Sequence, residues 1–454
     1  MVVVARSTAQ VVTRAGSRLD RVGWTAFEYA PFRYFIAAML CSTSGLFLFN
    51  AALGWYVLQV TGSAAAVGLV FSVVGLPVLL LMPHAGVLTD RLGARTMLIA
   101  NFIALGIVAV LFGSVALGTG PDLRVILVLA VLLGIAETIG SPATMAIVND
   151  LVPPSAVSSA TALNFLHMNV ARIIGGLLGG VILATLPTPV AFFIAALLFA
   201  SPIVILVRVR TTTVHPREER KTAGFLGPIL EASRYARSHP TLGVLILLAI
   251  APGSIGLSYT FMLPVAAEEL GIGAAGLGAL VVAVGIGGLV AGVSLETIQR
   301  RIGHGRALFC GVFGAALGLA TFGLVPGVPL AIAGLSIVGA SFLTFAAANL
   351  TLTQAISPPR LRGRMVGLFS TLYWGMMPVG GLIVGLVAEQ IGARSALALC
   401  GVGLAIAGVA ALAAKRQLLS LAVGRDGVTL RGDLRGTGAE HSELGVRVPD
   451  SQRP

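Results

Sequence analysis

The sequence predicts an all-α membrane protein of twelve transmembrane helices in two six-helix pseudo-symmetric halves. Three observations carry that expectation. Hydrophobic residues make up 56% of the 454 and charged residues only 11%, whereas a soluble domain holds about 25% charged residues. Apolar runs of about 20 residues, the length a helix needs to cross the hydrocarbon core, occur twelve times. Similar wording also recurs at an offset of 205 residues.

The predicted spans lie at 34–57, 65–87, 97–117, 123–148, 159–185, 189–207, 242–266, 275–297, 306–325, 328–354, 364–389 and 395–414. Pro77, Pro142, Pro264 and Pro378 fall inside them, which does not exclude helix, because neighbouring helices re-satisfy freed backbone groups in lipid. Twelve crossings put both ends of the chain on one side, and the arginines say which. Segment 1–33 carries Arg6, Arg14, Arg18, Arg21 and Arg33. Loops on the same side carry Arg91, Arg95, Arg300, Arg301, Arg306, Arg360, Arg362 and Arg364, and the linker 208–241 is basic too. Only Arg124 and Arg394 fall opposite, with Arg172 inside a span. That asymmetry places both termini in the cytoplasm. It also accounts for the net charge of +12 without a nucleic-acid partner.

Segment 1–33 lacks a small-residue cleavage site and reads as a cytoplasmic N-terminal segment. The linker 208–241 separates an N-terminal half, 34–207, from a C-terminal half, 242–414; its EASRYARS stretch suits a short surface helix. The tail 415–454 is polar and glycine-rich, and is expected to be a disordered cytoplasmic extension. Cys41, Cys310 and Cys400 sit in apolar runs and read as small hydrophobes rather than ligands. No phosphate-binding glycine loop, metal-spaced His/Cys cluster or catalytic serine pattern is present, so neither a cofactor, a metal nor an enzymatic activity is expected.

The repeat is specific. SPATMAIVNDLVPPSAVSSATALN around spans 4 and 5 answers FAAANLTLTQAISPPRLRGRMVGLF around spans 10 and 11. The offset lays Pro153-Pro154 on Pro358-Pro359, Gly175-Gly176 on Gly380-Gly381, and Gly180 on Gly385. Parallel six-helix repeats are the architecture of secondary transporters, whose substrate site lies near the midplane between the halves.

Between spans 2 and 3 stands GVLTDRLGAR, and between spans 8 and 9 stands ETIQRRIGHGR. The first resembles the G-x-L-x-D-R-x-G-R signature of the major facilitator superfamily, through Gly86, Leu88, Asp90, Arg91, Gly93 and Arg95. The second keeps Arg301 and Gly303. VTGSAAAVGLV and PPRLRGRMVGLF look like the bacterial branch of siderophore exporters and macrolide or multidrug efflux proteins. Ala171-x-x-x-Gly175-Gly176-x-x-Gly179-Gly180 resembles the drug–proton antiporter signature, with Ala for the first Gly and Gly for the Pro.

The resemblance implies a multi-pass transporter of the bacterial cell membrane, working as a monomer on a small molecule with protons as the coupling ion. It makes Asp90 a conformational gate facing Gly363 and Arg364 at the start of span 11; the alternative is an anchor for a tight interfacial turn. Glu137 and Arg172 lie midway along spans 4 and 5, where a lone charge costs several kcal/mol. They are expected to pair, either structurally or as the seat of proton coupling. Cavity candidates in the first half are Asn50, Asn164, His167 and Met168, together with Glu137 and Arg172. In the second half they are Tyr259, Met262, Asn349, Tyr373, Trp374 and Met377. Few polar groups among aromatics and methionines suit amphipathic ligands. Gly175, Gly176, Gly179, Gly180, Gly380, Gly381 and Gly385 are expected to permit close helix packing, which for the first four is seen as sealing one half against the other. The leading expectation is proton-coupled efflux of hydrophobic or amphipathic drugs. The alternatives are siderophore or natural-product export, import, and a non-transporting sensor.

Overall fold

Lipid offers the backbone no hydrogen bonds, so each apolar run closes its own ladder as a helix. The computed structural model describes residues 25–118, 122–208, 226–424 and 427–430. Residues 1–24, 209–225 and 431–454, which hold much of the expected N-terminal segment, linker and tail, lie outside the described residues. Among those described, twelve helical spans are long and apolar enough to cross a membrane. Six come first: α1 (Ala30–Thr61), α2 (Ala64–Leu92), α3 (Ala94–Leu117), α4 (Leu123–Leu151), α5 (Val157–Thr185) and α6 (Thr188–Arg208). A short helix from the linker, α7 (Leu226–Ser238), contains the EASRYARS stretch.

The seventh span is broken. Helix α8 (Pro240–Leu248) gives way to a wide turn at Pro252–Gly256 before α9 (Tyr259–Glu269) resumes. Pro252 lacks the N–H that an unbroken ladder would need. Then follow α10 (Gly273–Ile302), α11 (His304–Leu324) and α12 (Val328–Ile356). The eleventh span is also broken, into α13 (Arg362–Tyr373) and α14 (Met377–Ile391), before α15 (Ala393–Ala414). The two breaks meet: a Cβ on Gly253 would lie 2.5 Å from the carbonyl oxygens of both Leu372 and Tyr373.

The chain resolves into two compact units, residues 1–56 with 76–219, and residues 57–75 with 220–454. The expected halves divide at the linker; the observed units also assign 57–75 to the second. In the first unit the core centres on Phe49, whose ring meets Phe112 at 5.4 Å and Phe192 at 5.2 Å. In the second, α10, α11, α12 and α15 approach through glycine: Gly318 and Gly334 each lie against the other's carbonyl, at 2.7 and 2.8 Å from an added Cβ. Small residues permit such backbone approach in membranes.

The tail departs from the expected disorder over 416–424 and 427–430. A 3-10 turn, Arg416–Ser420, leads into β1 (Leu421–Gly424), which pairs antiparallel with β2 (Gly427–Leu430), Leu421 opposite Leu430. Leu418 and Leu421 are buried, and the Val423 N–H donates to His304 Nδ1 at 3.2 Å. Two buried leucines supply the apolar anchor that the composition of the tail as a whole conceals.

Candidate functional site

The GVLTDRLGAR segment is mostly helix rather than loop. α2 continues through Asp90 and Arg91, both exposed, and stops only at Gly93, whose φ of 84° belongs to the left-handed side. The second copy repeats this geometry: Arg301 ends α10 and Gly303 has φ 86°. A side chain with a Cβ is strained there, which explains why both copies keep glycine. Gly86 is half-buried, with nothing within 4 Å of an added Cβ. Arg95 reaches back to the end of α6, donating through Nε to Leu206 O at 2.7 Å and through Nη2 to Val207 O at 2.8 Å. It satisfies helix-end carbonyls that lack intrahelical partners.

In the second unit, Arg364 pairs with Glu231 of α7, and Arg360 approaches the same carboxylate at 3.6 Å. These groups are substantially exposed, so the pairs contribute little stability, about 0–1 kcal/mol. Gly363 beside them is exposed and open. Nothing in the sequence singles out Glu231, although its stretch EASRYARS suits a short helix.

Within the first unit's membrane spans, α5 lies along α1. His167 Nε2 is 3.3 Å from Thr43 Oγ1, and the Arg172 guanidinium sits 5.0 Å above the ring of Phe47. Among the described residues no ion pair joins Glu137 to Arg172, so the expected pairing is not formed. Depth along two helices does not fix azimuth, and Arg172 turns instead to a cation–π contact on α1. Glu137 is half-buried. Asn164 and His167 are buried, and Asn164 Oδ1 and His167 Nδ1 make no hydrogen bond among the described residues. Asn50 is half-buried and Met168 exposed. Asn101 of α3, not anticipated, is buried against Gly140, one turn from Glu137, with its Oδ1 also unmatched. A buried acceptor without a donor costs about 1–3 kcal/mol.

The second unit's candidates divide. Tyr259 stacks on Phe342, and Met262 is fully buried. Asn349 is fully buried and stitched into the fold: Nδ2 donates to Leu245 O at 2.9 Å, and Oδ1 accepts from Thr353. Tyr373 is buried between Phe345 and Phe369 at the break in the eleventh span, with Trp374 exposed and Met377 half-buried.

The glycines act within each unit. A Cβ on Gly175 would lie 2.5 Å from Ser44 O and 2.6 Å from Phe47 Cβ; one on Gly179 would lie 3.4 Å from Ala51 Cβ. Both partners belong to α1, so this face seats two helices of one half rather than sealing one half against the other. Gly176 and Gly180 are buried beside them. Gly380 fits against Ser254 O, Gly381 against Phe261, and Gly385 against Gly68.

The profile of a family described as transmembrane secretion effectors matches residues 21–421. The multidrug efflux pump Tap of Mycolicibacterium fortuitum is 25% identical over 398 residues, 86% of this chain and 96% of that protein. The staphyloferrin A transporter of Staphylococcus aureus is 23% identical over 376 residues, covering 82% and 92%. The enterobactin exporter EntS of Citrobacter koseri is 24% identical over 381 residues, covering 84% and 91%. Among solved structures, the nucleoside transporter NupG superposes with a TM-score of 0.71 at 12% identity, over 85% of this chain and all of that one. A bacterial homologue of the lysosomal transporter Spinster gives 0.66 at 17% identity, covering 86% and 98%.

Proposed function

Because the chain belongs to the transmembrane secretion effector family of the major facilitator superfamily, we propose that it exports amphipathic small molecules by alternating access, driven by protons entering the cell. It is a transporter and not an enzyme. Two of the relatives named above are a multidrug efflux pump and an enterobactin exporter, which supports efflux. The cytoplasmic placement of both termini rests on the arginine asymmetry.

One observation carries the reading. Polar groups at membrane depth on α5, Asn164, His167 and Arg172, stand among apolar and aromatic neighbours with hydrogen-bonding capacity that the described residues leave unused. Such a surface suits a ligand that is largely apolar and carries one or two polar groups. Glu137 is the coupling residue in this reading. A carboxyl at that depth can hold a proton in one conformation and release it when the cavity turns toward the other side.

The test is efflux of a fluorescent amphipathic dye from cells expressing the protein. Efflux collapses when a protonophore dissipates the gradient, and Glu137→Gln abolishes uphill export. Dye export that persists in both conditions sinks proton coupling; no export of any amphipathic dye sinks the drug assignment. Arg172 favours a second reading, since among the described residues no carboxylate pairs with it. An anionic natural product such as a catecholate or polycarboxylate chelator would meet that guanidinium. Such chelators competing with dye export would favour it.

A further inference from the structure

We propose that the Glu389 carboxylate is a detachable latch holding the first half of α2 onto α14, and that this seam parts once in every transport cycle. The inference rests on alternating access as proposed above. α2 is one unbroken helix, Ala64–Leu92, yet residues 57–75 cluster with the second compact unit and residues from 76 onward with the first. A rigid helix cannot stay fixed to two bodies that move relative to each other. With Gly75 and Pro77 at the boundary, α2 must either bend there or release one of its attachments.

The attachment within the second unit is built to release. Its backbone contacts are glycine on glycine: a Cβ on Gly68 would lie 2.5 Å from Gly381 O, and one on Gly385 would lie 2.9 Å from Gly68 Cα. The Pro378 ring of α14 also fits against Gly75, where α2 presents no side chain to hold it. Phe71 stacks flat on Phe261, with centroids 4.5 Å apart and rings 10° from parallel, a contact that slides rather than interlocks.

The two serine hydroxyls in the polar ties each keep another partner when the seam opens. Ser72 Oγ is 2.6 Å from both Pro378 O and Gly68 O, and its single proton can return to the carbonyl of its own helix. Glu389 Oε2 accepts from Ser63 Oγ at 2.9 Å and from the Ala65 N–H at 3.1 Å. Ser63 Oγ also accepts from the Ala66 N–H at 3.1 Å, so α2 retains its own cap after Glu389 leaves. Glu389 is exposed and does not become a buried lone charge. While engaged, its negative charge sits at the positive end of α2, which favours the closed seam. A buried tie between α12 and α8 lacks such a reserve. Asn349 Nδ2, fully buried, would be left without Leu245 O if α12 and α8 separated.

Two measurements test the latch. A Ser63→Cys/Glu389→Cys variant is joined by a short, reducible bis-methanethiosulfonate crosslinker, with each single variant as the control for the native cysteines. Dye efflux is expected to fall at least tenfold on crosslinking and to recover on reduction. Undiminished efflux by the crosslinked protein overturns the proposal, because a seam that never parts tolerates the bridge. Independently, a Ser72→Cys thiol is labelled with a membrane-impermeant maleimide, with and without Glu389→Ala. Removing the carboxylate is expected to speed labelling at least threefold, and an unchanged rate overturns the latch. If the wild-type protein exports nothing, alternating-access efflux fails, while the labelling rates still decide what Glu389 does.

Discussion

Replacing Gly175 by alanine adds one methyl group where the helices leave no room for it. Its Cβ would sit 2.5 Å from Ser44 O and 2.6 Å from Phe47 Cβ. Unbonded carbon contacts settle at about 3.5–4.0 Å, so α5 must withdraw from α1 by about 1 Å. Thr43 and His167, 3.3 Å apart on the same pair of helices, then separate beyond hydrogen-bonding range. Overpacking of this kind costs about 1–3 kcal/mol, offset by up to about 1 kcal/mol because alanine suits a helix better than glycine. The expected net loss is about 1–2 kcal/mol, a fall in melting temperature of about 1–2 °C for a chain of 454 residues. Gly179→Ala is the internal control. Its Cβ would lie 3.4 Å from Ala51 Cβ, so the propensity gain arrives almost without a clash and the variant should be neutral or slightly more stable. Thermal unfolding in detergent, followed by tryptophan fluorescence and paired with dye efflux, measures both. Equal melting temperatures for Gly175→Ala and wild type, or equal losses for the two variants, would refute the reasoning.

Arg95→Ala removes two donors from the carbonyls of Leu206 and Val207 and should cost about 1–2 kcal/mol, with faster amide exchange at the end of α6. Lysine should restore only part of this, because it lacks the guanidinium fork that spans two carbonyls. Burial, helped by nearby Lys415, holds His239 below the usual histidine range. The unfolded chain therefore takes up this proton more readily, and the associated stability, full at pH 8, is lost as the pH falls through the normal histidine range. Melting temperature measured from pH 8 to pH 5 should show that slope, and His239→Gln should flatten it. Gly305→Val drives a side chain into Leu418 O and should release the C-terminal hairpin. Increased protease cleavage within 416–430, with helix content unchanged, is the expected readout.

The helices were readable because a bilayer imposes a length and a composition on each crossing, and runs such as 97–117 declare both. Which face of a span is buried was not readable. In a soluble helix polar residues mark the outer face, but α3 beyond Asn101 is almost wholly apolar, and lipid and core look alike in its sequence. Met262 and Asn349, expected at a cavity because the resemblance makes their spans line it, are fully buried. The charges at membrane depth were found at once, since Glu137 and Arg172 stand out among apolar neighbours. Their partners were not found, because a count of residues gives depth without direction. In the tail, LAVG and GVTL are mostly apolar, but eight residues within a forty-residue polar and glycine-rich stretch do not stand out from its average.

Glu269 and Arg394 meet around the start of α15. The Glu269 carboxylate accepts from the Ala393 and Arg394 backbone N–H groups, while the Arg394 side chain donates to Phe322 O and Val325 O at the end of α11. Two residues thus bind the ends of the seventh, ninth and twelfth spans into one knot. The ribosome releases those spans in order, and the last of them carries the groups that complete the other two. Until α15 enters the bilayer, the carboxylate of Glu269 and the terminal carbonyls of α11 wait at the membrane surface. A chain truncated before Ala393 would therefore leave the Glu269 carboxylate and the terminal carbonyls of α11 without these partners, as well as lacking one span.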